Sequence, residues 1–243
     1  RSRSTWPAAA SSAFCTLPPV QNGASSPRRS RLPPEFRNRV PREVGMEQDS
    51  NGFVRTLYMN WLRNGGKPIS QLGFAKQSAE LLTALHEMAR VIHLDLRLDN
   101  FVITPNGVGF VDFGSAVRSD EQFAENSLLS TLYEEMMRTS QIQKMLGRMQ
   151  DRGMITSEDI RSAFGKIDKA VDFFYLAVQM NHPQANPDFK DLVLVNRDSE
   201  EARALARLTD RILKPADPNT PEFRSARDIL RGIEEIEKSL SNR

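Results

Sequence analysis

Apolar residues recur at three and four along Gln71–Val91: Leu72, Ala75, Ala79, Leu82, Leu85, Met88 and Ala89. That spacing predicts an amphipathic helix with one buried stripe, capped by Ser70. Before it, "FVRTLYMNWL" (53–62) is β-branched and aromatic enough for a strand running into a connector, and "RNGGKP" (63–68) is a breaker. After it, "FVIT" and "VGFVDF" read as two short strands joined by the turn "PNG" (105–107), where Asn106 and Gly107 accept positive φ readily. The rest of the chain has helical spacing. Phe123, Leu128, Leu129, Leu132, Met136, Met137, Ile142, Met145, Leu146 and Met149 form one set, with core packing the default use of the methionines. A capping box at Thr156 and Asp159 predicts a further helix from about Ser157 to Met180. A loop over 181–188, a helix over 200–213, a Pro-rich connector over 214–222 and a closing helix over 222–240 complete the pattern.

Residues 1–45 lack any such period. They hold seven of the fourteen prolines and eight arginines against two glutamates, so a formal charge of +2 for the 243 residues conceals a segment of +6. Such a composition buries too little apolar surface to offset its chain entropy, so a disordered basic tail is expected, with order beginning near Phe53. Its functional reading is a basic arm for nucleic acid or an Arg/Ser-rich targeting peptide; its plainer reading is a solvated tail or a misassigned start. The first residue is Arg1 and not methionine, which suits a clipped or incompletely defined chain. Residues 46–243 are then one lobe.

The single cysteine, Cys15, excludes an internal disulfide and a cysteine zinc site, which fits a reducing, cytoplasmic setting. No apolar run approaches the ~20 residues of a membrane span. His86, His93 and His182 lack metal-ligand spacing; His86 reads as helix surface, His182 as loop, and Asp99 as solvent-facing.

Chemistry concentrates in "HLDLRLDNFVITPNGVGFVDFG" (93–114), which brings Asp95, Asn100 and Asp112 into one short segment. A carboxylate that accepts a hydroxyl proton, with an Asn and a second Asp that hold divalent cations on phosphate oxygens, is the equipment of phosphoryl transfer. Magnesium takes one or two carboxylates plus phosphates and waters, a role that suits Asn100 and Asp112.

"HLDLRLDN" resembles the catalytic loop H-R-D-L-x-x-x-N of the protein kinase superfamily, and "DFG" (112–114) resembles its metal-binding D-F-G. The resemblance implies a mainly α (α+β) fold: a protein-kinase-like C-terminal lobe with a small catalytic β-hairpin, the N-terminal lobe absent or vestigial. It implies ATP and Mg2+ as cofactors and an unknown hydroxyl-bearing acceptor as partner. Asp95 would be the catalytic base and Arg97 the basic residue that meets the transferred phosphate. Asn100 and Asp112 would be magnesium ligands. His93 would support the loop from behind, with Phe113 packed beneath it and Gly114 ending the motif.

The pattern departs from the family in three places. Upstream there is no G-x-G-x-x-G loop and no strand lysine; Lys67 lies in a Gly/Pro turn and Lys76 in the helix. Leu94 replaces the arginine that meets a phosphorylated activation loop. No A-P-E follows the D-F-G, and that shortened stretch is where protein kinases seat a peptide. The expected function is therefore an ATP-dependent, bacterial-type Ser/Thr protein kinase-like phosphotransferase. The alternatives are a non-catalytic, pseudokinase-like interaction module and a small-molecule or lipopolysaccharide kinase of the same superfamily.

Overall fold

The structure, a computed structural model, describes residues 29–48, 54–59, 62, 64–113, 116–118, 169–185, 187–213 and 222–242. The methionine-rich helices expected over 121–150, the capping box at Thr156 and Asp159, and Gly114 lie outside the described residues.

Among the described residues the architecture is mainly helical, with four two-stranded pairings. A single turn, α1 (Pro34–Arg37), precedes the antiparallel pair β1 (Glu43–Gln48) and β2 (Val54–Met59). Then β3 (Ile69–Ser70) leads into α2 (Gln71–Ala84), whose N-terminus is capped as expected: Ser70 Oγ accepts from Gly73 N–H at 3.0 Å. α2 stops short of Val91. A π turn occupies Leu85–Ala89 and ends at Arg90, which adopts left-handed backbone with φ 59°. The wider turn advances the side chains out of the 3.6-residue phase, so Met88, expected on the buried stripe, is 48% exposed, while Leu72, Ala75, Ala79, Leu82, Leu85 and Ala89 are buried.

β4 (Val91–Ile92) pairs antiparallel with β7 (Val117–Arg118), enclosing the loop 93–100 and the hairpin of β5 (Phe101–Thr104) and β6 (Gly107–Phe110). The hairpin register runs from Phe101 opposite Phe110 to Thr104 opposite Gly107. Gly107 alone carries the positive φ, at 110°, and Asn106 does not need it. Thr104 Oγ1 closes the turn instead, donating to Gly107 O and accepting from Asn106 N–H. Phe101, Ile103, Val108 and Phe110 are essentially fully buried, each contributing ~1.5–3 kcal/mol to the packing of the hairpin on α2.

α3 (Lys169–Asn181) is buried at every position from Val171 to Met180, so it forms the centre of the lobe rather than a face of it. α4 (Glu200–Leu213) and α5 (Ala226–Ser241) are amphipathic; α2 packs against α3, α4 and α5. Gln71 Nε2 donates to Met180 O at 2.9 Å, fastening the start of α2 to the end of α3. Ser225 and Asp228 form a capping box at the start of α5. Near the chain's first described residues, the expected tail boundary at residue 45 differs from the structure. Residues 29–42 pack on the lobe, with Leu32 and Val40 each 1% exposed, because these few apolar side chains join its core. Among the described residues no helix is long and apolar enough to cross a membrane.

Candidate active site

"LDLRLD" (94–99) alternates apolar and charged residues, and the loop, left-handed at Leu94 and ending in a 3-10 turn over Leu98–Asn100, buries the apolar ones. Leu94, Leu96 and Leu98 face inward and are buried. Asp95, Arg97 and Asp99 occupy the alternate positions, with Arg97 half-buried and Asp99 exposed, as expected for Asp99. The leucines anchor the loop; Asp95 is itself buried, so Arg97 and Asp99 are the charges nearer solvent.

A second anchor comes from α3. Asp172, fully buried, accepts from His93 N–H and Leu94 N–H, one on each carboxylate oxygen and both at 2.8 Å. His86 Nε2–H donates to the same carboxylate at 2.8 Å. These bonds hold Leu94 at φ 62°, a left-handed conformation that costs a non-glycine residue about 1–3 kcal/mol. His86 is therefore not helix surface; it is 1% exposed. It lies four residues after Leu82 and seven after Ala79, on the buried stripe, and the Asp172 carboxylate satisfies its Nε2–H.

Asn100 closes the loop. Its Nδ2 donates to Asp95 O at 2.7 Å and to Asp95 Oδ2 at 3.1 Å, while its backbone N–H bonds Arg97 O. With the amide nitrogen committed to Asp95, the amide oxygen is turned away as an acceptor. Arg97 Nε donates to Asp95 Oδ1 at 2.7 Å. The bridge favours both ions. Burial works against Arg97, but the Asp95 charge and hydrogen bond outweigh it and raise the guanidinium pKa. At Asp95 the balance is reversed: burial lifts the carboxyl above its ordinary range, and Arg97 offsets only part of that. Beneath them, Tyr175 on α3 is fully buried, and burial together with the Asp95 charge pushes its phenol well up.

The hairpin returns the chain to this loop. Val111 N–H donates to Asn100 O at 2.8 Å, and Val111 O accepts from His93 Nε2–H at 3.1 Å. Asp112 follows at φ 56°, exposed, with its carboxylate close enough to act electrostatically on both Asp95 and His93. Phe113 is 3% exposed and lies against the His93 ring, centroids 4.5 Å apart. His93 itself is fully buried, and burial lowers its pKa.

Thus Asp95, Arg97 and Asn100 share one hydrogen-bonded loop, Asp112 stands at the adjoining end of the hairpin, and His93 and Phe113 lie behind. Among the described residues no group of three His, Cys, Asp or Glu side chains could hold a metal unaided. Magnesium in phosphoryl transfer does not need one. An Asn oxygen and an exposed carboxylate, completed by phosphate and water, match its preference for hard oxygen. Asp172 and Tyr175 do not stand out as site residues in the sequence, and His86 reads there as helix surface. Asp172 had a legible signal: one carboxylate inside "AVDFFYLAVQM", where a buried charge must find partners.

The sequence matches no protein-family model and no curated protein.

Proposed function

We propose that the chain is the catalytic lobe of a protein-kinase-like, ATP-dependent phosphotransferase acting on a hydroxyl acceptor. The observation that carries this reading is the joining of Asp95, Arg97 and Asn100 in one pinned loop whose last residue is hydrogen-bonded to the strand end that presents Asp112. Asp95, with its carboxyl lifted by burial, is suited to accept a hydroxyl proton. Arg97 offers a half-buried cation for the phosphate in transfer. Asn100 and Asp112 would hold Mg2+ on the phosphate oxygens of ATP.

The test is thermal unfolding of the full chain with and without Mg·ATP, beside Asp112→Ala. Nucleotide at 100 times its Kd stabilises a binder by about 2.7 kcal/mol. A rise in midpoint that disappears in Asp112→Ala, with phosphate transfer abolished in Asp95→Asn while binding persists, is the expected result. Absence of any nucleotide effect in the parent chain would replace this reading with that of a non-catalytic interaction module.

A further inference from the structure

Arg39 is a buried cation far from Asp95 in sequence, and the reaction proposed above does not use it. It is 5% exposed, and burial draws its pKa down to about 10 although Glu80 opposes this, so it remains charged at neutral pH. Burying a charge is costly unless its donors are satisfied. The partners it has are therefore informative.

Those partners lie on the outer edge of β6 and on α2. Arg39 Nε donates to Val108 O at 2.6 Å, its Nη2 donates to Gln77 O, and its Nη1 faces Glu80 Oε2 at 4.0 Å. Its own carbonyl accepts from Phe110 N–H at 3.0 Å. Gln77 Oε1 takes the remaining edge donor, Val108 N–H, at 3.0 Å. Both edge groups of Val108 and the N–H of Phe110, alternate residues of one strand, are thus occupied from the 29–42 segment and α2. The fit is close: a Cβ added at Gly109 would sit 2.6 Å from Arg39 O. One residue past Phe110, Val111 bonds Asn100 O and His93 Nε2, and Asp112 follows.

We infer that Arg39 is a positioning residue for the metal-binding pair: by clamping the outer edge of β6 it fixes where Asp112 leaves the hairpin relative to Asn100. Its consequence for metal rests on the phosphotransferase reading; its effect on the strand does not. Groups standing behind metal ligands typically contribute 10–100-fold to metal affinity.

The test uses the full chain with Arg39→Lys, which keeps the charge and loses the fork. The milder Glu80→Gln keeps the guanidinium, and Leu208→Ala, in the α4–α5 packing, serves as a control for general destabilisation. Two readouts are taken: amide hydrogen exchange at Phe110 and Val111 without ligand, and Mn2+ affinity in the presence of ATP by electron paramagnetic resonance. Arg39→Lys is expected to accelerate exchange at Phe110 and Val111 about tenfold relative to α5 amides and to weaken Mn2+ about tenfold, with Glu80→Gln intermediate and Leu208→Ala affecting neither selectively. If Arg39→Lys leaves exchange at those amides unchanged, or if Leu208→Ala weakens Mn2+ equally, the positioning role is wrong. A parent chain that binds no Mn2+ with ATP refutes the metal pair, and with it the phosphotransferase reading, while the exchange result still decides whether Arg39 holds the strand.

Discussion

Replacing Asp172 with asparagine should be among the most damaging single-atom-scale changes in this protein. Asp172 accepts three hydrogen bonds as a fully buried carboxylate, from His93 N–H, Leu94 N–H and His86 Nε2–H, each at 2.8 Å. Bonds to a charged acceptor contribute about 1.5–3 kcal/mol each, against about 1 kcal/mol for neutral ones. Asparagine keeps one acceptor oxygen and turns a donor toward a donor on the other side. The expected loss is therefore roughly 4 kcal/mol, a large part of a typical total of 5–15 kcal/mol. At about 2–4 °C per kcal/mol for a chain of 150–250 residues, the thermal midpoint should fall by roughly 8–16 °C. The strained Leu94 should relax as well, because its N–H loses the carboxylate that holds it at φ 62°. Urea unfolding of the parent, Asp172→Asn, His86→Leu and the double variant measures this directly. The His86–Asp172 contact should appear as a coupling of about 1–3 kcal/mol. A loss below about 1 kcal/mol in Asp172→Asn, or strict additivity in the cycle, would show that the loop is held by its leucines and not by this carboxylate.

Three further predictions concern the same region. His93 has its pKa lowered by burial, so folding favours its neutral form. Its contribution is complete above the unfolded pKa near 6.5 and is lost as pH falls through the depressed folded value, so His93→Gln should flatten the decline in unfolding free energy below about pH 6.5. Arg97→Met should raise the Asp95 pKa further by removing its counter-charge, moving the acid limb of any transfer activity to higher pH; an unmoved limb would mean Asp95 is not the titrating base. Arg90→Gly should stabilise by about 0.5–1 kcal/mol in denaturant titration, since Arg90 is exposed, left-handed at φ 59° and in the position where glycine is preferred after a helix.

Much of the scaffold was readable because local chemistry and global packing agree there. Ser70 caps α2, the hairpin turns at Gly107, the helix over 200–213 occurs where apolar spacing put it, and the closing helix, expected from 222, begins four residues later at Ala226 behind its Ser225 cap. The site residues were readable for a related reason. Asp95, Arg97, Asn100 and Asp112 lie within one short stretch, so their proximity follows from a loop and a hairpin and needs no long-range prediction. Of the failures, one is local and two are long-range. A π turn inserted between Leu85 and Ala89 rotates Met88 outward, and no residue type announces it. Residues 29–42 have a composition that disfavours autonomous folding, yet they are held by a surface supplied from residues 69 positions later, as between Arg39 and Val108. Burial of His86 became necessary only because Asp172 arrives from another helix.

That last pair shows why the loop's support is harder to read than its chemistry. A side chain that touches substrate must have a particular functional group, and Asp, Asn and Arg at fixed spacing therefore carry information. A side chain that supports the backbone beside the site needs only to satisfy its donors or acceptors from wherever the fold brings it. Asp172 meets that need from α3, Arg39 meets it for β6 from the opposite end of the chain, and both are charged groups buried among apolar neighbours. Because a buried charge is retained only where its partners repay desolvation, each marks a point at which the backbone beside the site is fixed. Loss of either should therefore loosen the loop or the strand it holds before it disturbs the helical core, and amide exchange at Leu94 for Asp172→Asn, compared with Phe110 for Arg39→Lys, separates the two supports. Equal acceleration at both amides in either variant would mean that loop and hairpin open as one unit, joined by the bond between Val111 and Asn100.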